Sequence, residues 1–143
     1  YALHRDRLKS DAVAEYDPYI AHRLSGGQNI SAADYINMLA TREKIWADVQ
    51  VMTQHFDALI LPTSPILPPA LRTLDTIEAK TATNASCLRN TSLSNYLDRP
   101  TITLPCHSLG TAPVGISLMG PRLHDRHLLA IASGVEKVIN FTR

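Results

Sequence analysis

The side chains in this sequence that can act as nucleophile, base or metal ligand are few, and their spacing decides which chemistry is open. Cys106 and His107 are adjacent. A thiol and its base must hydrogen-bond side chain to side chain. Neighbours in an extended chain point to opposite faces instead, so the pair reads as a buried thiol beside a surface imidazole. His124 and His127 flank Asp125 and Arg126, with spacing that puts both imidazoles on one helical face. A zinc site needs a third and usually a fourth ligand. No further ligand is placed by spacing and Arg126 adds repulsion, so no metal is expected. Asp57 precedes an apolar run and Asp98 precedes Arg99-Pro100. Turn and cap roles suit both better than a carboxylate pair. His4, His22 and His55 are scattered, and the sequence has no GxSxG elbow. Residue types and spacing alone give no complete catalytic set.

The word LSGGQ at 24–28 raises a separate possibility. It is the phosphate-sensing signature of ABC-type ATPases, which must also carry GxxxxGK[ST] to cradle the nucleotide. That second motif is absent from the sequence. The local grammar disagrees too. Gly26-Gly27 are placed to end one helix as a C-cap. Ser31, with Asp34 three residues on, is placed to open the next as a capping box.

The elements that must position any site follow from periodicity. Residues 2–24 read as helical with a break at Asp17-Pro18, where Pro suits a first helical turn. Tyr35, Leu39, Arg42, Trp46, Val49, Met52 and Phe56 keep a helical period, which predicts a long core-facing helix. Ala58 to Leu61 is a continuous apolar run and predicts a strand buried on both faces, as in a parallel or mixed sheet. Pro62 ends its ladder and Pro65, Pro68 and Pro69 hold the next loop extended. Residues 70–83 show no period and read as surface loop. Asn84 to Leu97 is a helical candidate that Pro100 prevents from continuing. TITLP at 101–105 and PVGISLMGP at 113–121 predict a strand pair with 106–112 as the turn. A final helix starts near Asp125, its inner face made of Leu128, Ile131, Ala132, Val135, Val138 and Ile139. The expected fold class is α/β, with helices dominant and a few core strands.

Bulk properties narrow the partners. The chain has 143 residues, a net charge of +1 and two cysteines, Cys87 and Cys106. That is one domain's length, and two cysteines are no disulfide framework, so free thiols in a reducing cytoplasm are expected. Basic residues form no stripe, so nucleic acid is not an expected partner. No apolar run approaches membrane-spanning length, and no charged-then-apolar leader supports export. The first residue is Tyr1 rather than Met, which gives the expectation of a fragment or a processed product.

Four stretches in order carry a resemblance: ISAADYINMLATREKIW, FDALILPTSP, NYLDRPTITLPC, and TAPVGISLMGP followed by HDRHLLAIASGVEK. Their order and spacing resemble the C-terminal third of the amidase signature hydrolases, over nearly all of 1–143. The resemblance implies an α/β fold with a partial mixed β-sheet core covered by helices, and hydrolysis of carboxylic amides by a Ser–cis-Ser–Lys triad through an acyl-enzyme, with no cofactor. The family's Gly/Ser-rich nucleophile loop has no counterpart here, and Lys9, Lys44, Lys80 and Lys137 match no catalytic position. The resemblance therefore implies no catalytic residue in this chain, which would be a C-terminal segment, inactive alone. It would add a pocket wall for a small-molecule amide, with Pro62, Thr63, Arg89, Asn90, Thr91 and Asn95 as substrate-facing residues. Arg89 has a solvated helix charge as its alternative role, and Thr91 and Asn95 the satisfaction of buried backbone groups. Many family members carry Gly where this chain has Asp98. NYLDRP also departs from the Asn-Leu-Ala-Gly-x-Pro typical of the glutamyl-tRNA amidotransferase members of the family. That weakens a transamidase reading. A stand-alone binding module is the remaining alternative. Open sheet edges predict homo-oligomers or self-association of the isolated segment.

Overall fold

Ser31 and Asp34 form the reciprocal pair that their spacing predicts. The Asp34 amide donates to Ser31 Oγ at 3.0 Å, and the Ser31 amide donates to the Asp34 carboxylate at 3.3 Å. They open α3 (Ala32–Thr53), the longest helix of the chain's computed structural model, which describes residues 1–141. The Ser31 hydroxyl also donates to the Asp34 carboxylate, at 2.6 Å. These bonds favour the charged form and hold the Asp34 carboxyl below its ordinary 3.8.

The chain forms two compact units, Tyr1–Thr41 and Arg42–Arg143. In the first, α1 (Arg5–Leu8) and a 3-10 turn (Asp11–Glu15) precede α2 (Pro18–Ser25). Asp17 caps α2 by accepting from the amides of Tyr19 and Ile20 at 2.9 and 3.2 Å, with Pro18 in the first turn. His4 Nδ1 meets the Tyr16 hydroxyl at 2.8 Å. The expected glycine stop takes a different form. Gly26 is right-handed at φ −55°, and a 3-10 turn (Gly26–Asn29) continues the coil. What Gly27 supplies is space, since a Cβ there would lie 2.7 Å from Tyr1 Cβ.

The second unit centres on a three-stranded sheet in the order β1 (Leu59–Pro62), β3 (Gly115–Met119), β2 (Thr101–Pro105). Both pairings are antiparallel. The α/β expectation holds, but β1 is an edge strand of this sheet rather than a strand covered on both faces. Ile60 is 67% exposed. Pro62 is tolerated there because an edge strand has spare donor positions. β2 and β3 form the anticipated pair, joined through 106–114.

One sheet face carries Ile102, Leu104, Ile116 and Leu118 by alternation. α5 (Asp125–Phe141) covers it with Leu128 and Ala132 buried and Ile131, Val135 and Ile139 packed alongside. Val138 lies outside that face at 67% exposure. Leu118 is fully buried, a burial that contributes about 2 kcal/mol.

α4 spans Ile77–Tyr96, capped by the Thr76 hydroxyl, which accepts from the Ala79 amide at 3.1 Å. The region expected as loop through 83 is therefore helical from Ile77. After α4 the chain turns at Asp98, which adopts φ 54°. That left-handed conformation favours glycine, and Asp is among the side chains that tolerate it. Its carboxylate is held by Arg122 Nε at 2.7 Å, and the Arg122 guanidinium lies 5.0 Å from the Trp46 ring centroid. Arg99 follows, 8% exposed, donating to Thr53 Oγ1 at 2.7 Å and Gln50 Oε1 at 3.3 Å. Its buried Nε has no partner among the described residues. Burial pulls the Arg99 pKa down.

The long apolar stripe of α3 is only partly inward. Arg42, Trp46 and Val49 are half-buried, while Tyr35, Leu39, Met52 and the following Phe56 are exposed. Ile36, Met38, Ile45 and Val51 are exposed as well. The helix carries apolar residues around most of its circumference, and the described residues cover a minority of them.

The capping pair generates a prediction. Ser31→Ala should lower stability by about 1 kcal/mol in chemical denaturation. The Asp34 carboxyl is depressed in the folded state, so its contribution is complete above pH 3.8 and fades as pH falls further. An acid titration of helix content should thus show a steeper loss in the wild type than in Asp34→Asn. Parallel curves would contradict it.

Candidate functional site

Thr63 lies one residue past β1, Thr103 in β2 and Ser117 in β3, and register brings the three together. Thr103 pairs with Ser117, and the Thr63 amide extends the β1 ladder by donating to the Gly115 carbonyl at 2.9 Å. Their hydroxyls meet on the sheet face opposite α5. Thr63 Oγ1 lies 2.8 Å from Ser117 Oγ and 3.3 Å from Thr103 Oγ1, and Thr103 Oγ1 lies 3.1 Å from Ser117 Oγ. Ser117 is 2% exposed, so its hydroxyl needs such partners. Gly115 makes the approach possible. A Cβ there would stand 2.8 Å from Thr103 Cγ2 and 3.1 Å from Thr63 Oγ1.

Of these, Thr63, Thr103 and Gly115 border a cleft of about 500 Å³, and the buried Ser117 lies outside its lining. Thr63, Thr103 and Gly115 line its base, and Pro65, Ile66, Leu67, Pro105, Pro113 and Val114 line its walls, with Ser64 and His107. Ser64 Oγ is buried with no hydrogen-bond partner among the described residues. Cys106 and His107 do not pair with one another. Cys106 Sγ lies 3.6 Å and His107 Nδ1 3.2 Å from the same Val114 carbonyl oxygen. Cys106 is half-buried rather than fully enclosed.

The structure separates the six expected substrate-facing residues. Thr63 is in the cleft. Asn90 on α4 donates its Nδ2 to the Pro62 carbonyl at 2.6 Å, which ties Pro62 to α4 just before the cleft. Arg89 is exposed, and Thr91 donates back to the Leu88 carbonyl within its own helix at 3.2 Å. Asn95 borders a different hollow, of about 310 Å³, with Ser94, Asp98, Arg99 and Arg122. Thr103, Ser117, Gly115 and Ser64 escape sequence reasoning. Thr103 and Ser117 are the polar members of otherwise apolar strands, a visible signal whose meaning depends on register.

The histidines of the final helix line a third and more open hollow with Gln54–Asp57 and Leu123, of about 760 Å³. His127 Nε2 lies 3.2 Å from Asp57 Oδ1 on an exposed surface. Among the described residues no three His, Cys, Asp or Glu side chains are grouped to hold a metal. Among them, too, no helix is long and apolar enough to cross a membrane.

Comparison with known proteins places this architecture in a class. The amidase family model matches residues 4–129. A solved structure described as a crystal structure of an amidase superposes with a TM-score of 0.79 at 25% identity, covering 95% of this chain and 32% of that one. The chain belongs to the amidase family, an amide-hydrolysing family of enzymes. It is 30% identical over 139 residues to 2-amino-5-chloromuconic acid deaminase of Comamonas testosteroni, covering 96% of this chain and 30% of that protein. It is 34% identical over 122 residues to indoleacetamide hydrolase of Pseudomonas syringae pv. syringae, covering 84% and 26%. A glutamyl-tRNA(Gln) amidotransferase chain of Sulfurisphaera tokodaii matches at 34% over 106 residues, covering 74% and 22%. The chain thus spans about a third or less of each of these relatives.

Two substitutions test the cleft's construction. Gly115→Ala should cost about 1–3 kcal/mol by overpacking against Thr103 and Thr63. Ser64→Ala should leave stability unchanged or raise it by about 1 kcal/mol, because it removes an unsatisfied buried hydroxyl. Thermal denaturation of both variants reads the two signs. A clear loss of stability in Ser64→Ala would mean that its hydroxyl has a partner.

Proposed function

We propose that this chain is the C-terminal part of an amide hydrolase and that its cleft forms one wall of the substrate pocket. The observation that carries this reading is the cleft bordered by Thr63, Thr103 and Gly115, built at the loop that the family resemblance places near substrate. In this account the rest of the enzyme supplies a Ser–cis-Ser–Lys triad, and the attacking serine forms the acyl-enzyme that water releases. No group in this chain is assigned a proton transfer or a nucleophilic attack. Its part is binding and orientation, which matter because only a well-placed carbonyl reacts. Pro62 belongs to this assignment through the Asn90 side chain, which fixes the carbonyl just before Thr63. Arg89, Thr91 and Asn95 stay in the proposal as residues that reach substrate only from elements beyond the cleft.

Two features support a segment of a larger whole. The chain spans 30% of its deaminase relative, and α3 presents Tyr35, Ile36, Met52 and other large apolar side chains to solvent. Exposed apolar surface of that extent is a burial surface in search of a partner. The proposal places the enzyme in the cytoplasm. The relatives divide over substrate: one is named for a chloromuconic acid, one for indoleacetamide and one for a glutamyl-tRNA. The amidotransferase matches support a transamidase as the second reading, in which partner chains are required.

The isolated 143-residue chain should hydrolyse no simple carboxamide and should self-associate in light scattering. Turnover that disappears on mutating Thr63 or Ser117 in the isolated chain would contradict the missing-triad account, and a clean monomer would contradict the exposed-surface account.

A further inference from the structure

Arg99 carries a charge into the interior, and among the described residues no carboxylate meets it there. The residue is 8% exposed. Its guanidinium donates to two neutral acceptors, Thr53 Oγ1 at 2.7 Å and Gln50 Oε1 at 3.3 Å. Its buried Nε has no partner among the described residues. The ion pairs of those residues join Arg5 to Asp6, Arg7 to Glu15, Arg122 to Asp98 and His127 to Asp57, and Arg99 is in none of them. Burial pulls its pKa down, yet a guanidinium keeps its proton in a protein. Arginines this buried are ordinarily paired, because an uncompensated interior charge costs several kcal/mol.

Arg99 also borders the hollow of about 310 Å³ at the α4–β2 turn, together with Ser94, Asp98, Arg122 and Asp125. Two carboxylates stand on this lining, and neither answers Arg99. Asp98 engages Arg122 at 2.7 Å, and Asp125 forms no ion pair with Arg99. Asp125 is the first residue of α5, so the hollow also meets a helix N-terminus, whose free N–H groups favour an anion. The charges on the lining set the charge of a guest. Asp98 and Arg122 balance one another, and Asp125 repels a second negative charge, so a monoanion suits the hollow better than a phosphate dianion. The planar guanidinium fork matches a carboxylate in particular. This lining shares no residue with that of the Thr63 cleft.

We propose that this hollow is a carboxylate-binding subsite with Arg99 as its cation. The carboxylate has one of two sources: a small free acid, or an Asp or Glu side chain from a segment of the full-length protein outside residues 1–143. The second source rests on the reading that this chain is the C-terminal part of a longer enzyme. In both cases the carboxylate supplies the counter-charge that Thr53 and Gln50 do not. The subsite is independent of whether the Thr63 cleft receives an amide, because it stands on different residues.

The test is thermal unfolding of the full-length protein and its Arg99→Met variant, in sodium acetate against sodium chloride at equal ionic strength and neutral pH. A crystal structure of the full-length wild type, grown without a carboxylate buffer, accompanies it. A saturable rise in wild-type Tm of about 2 °C at ten times Kd, absent from Arg99→Met, assigns the site to a free acid. No acetate response, with a carboxylate oxygen of an Asp or Glu outside residues 1–143 within about 3 Å of the Arg99 guanidinium in the crystal, assigns it to the protein's own side chain. Either result carries the proposal. A rise shared equally by Arg99→Met counts as no response, because acetate then binds elsewhere. No response, with only water, neutral groups or Asp125 around Arg99 in the crystal, would overturn the proposal. Where Arg99→Met does not fold, Arg99→Lys replaces it and should lower acetate affinity about tenfold, the loss of one charge-assisted bond; an unchanged affinity would overturn the free-acid assignment, and the crystal, which needs no variant, decides the other.

Discussion

Ser117 sits in the middle strand of the sheet, 2% exposed, with a hydroxyl in the interior. A buried hydroxyl left alone costs about 1–3 kcal/mol. Here Thr63 from one side and Thr103 from the other answer it at 2.8 and 3.1 Å. That arrangement constrains much else. It requires β1 and β2 to flank β3 in one register, because a slip of one residue would send each hydroxyl to the opposite face. It requires Gly115, since no side chain fits between Thr103 and Thr63. It also divides the sheet into two faces of different chemistry. The Leu104 and Leu118 face is apolar and sealed by α5. The opposite face carries the three hydroxyls together with the buried Met119.

The helices around this sheet differ in how completely they are used. α5 buries a true stripe, with Leu128 and Ala132 inside. α3 does not, and many of its large apolar residues face solvent. A helix that is apolar around most of its circumference has more apolar surface than one packed face can bury. The chain spans about a third of the length of the relatives it matches. The α4–β2 turn adds a second anchor. Asp98 holds a left-handed turn while its carboxylate engages Arg122, and Arg99 reaches back to Thr53 and Gln50. One short loop thereby ties the end of α3 to the entry of β2.

Local signals are the legible part of this fold. The Ser31–Asp34 box, the β2–β3 pair and α5 each declare themselves within a few residues, because caps, alternation and helical stripes are local patterns. The stretch 70–83 is opaque for the opposite reason. Its helix starts at Ile77 under a Thr76 cap, but the residues that follow, Glu78 to Ala85, are mostly small or polar and carry no apolar period. β1 reads as doubly buried because Ala58 to Leu61 is apolar throughout, and an edge strand with Ile60 exposed has the same letters. The cleft is legible only at Thr63. Thr103 and Ser117 are 40 and more residues away in sequence, and only pairing across strands makes them neighbours of Thr63. Arg89, Thr91 and Asn95 lie on the same helix as Asn90, yet Asn90 is the one whose side chain reaches the Pro62 carbonyl.

The central claim is that the cleft bordered by Thr63, Thr103 and Gly115 receives the substrate. Photo-labelling of the whole enzyme with a diazirine-bearing arylacetamide, followed by mapping of the labelled peptides, tests it most directly. The account predicts label on residues 63–67 and 113–115, suppressed by excess phenylacetamide. Specific, competable label confined to other parts of the enzyme, with these two segments untouched, would contradict it.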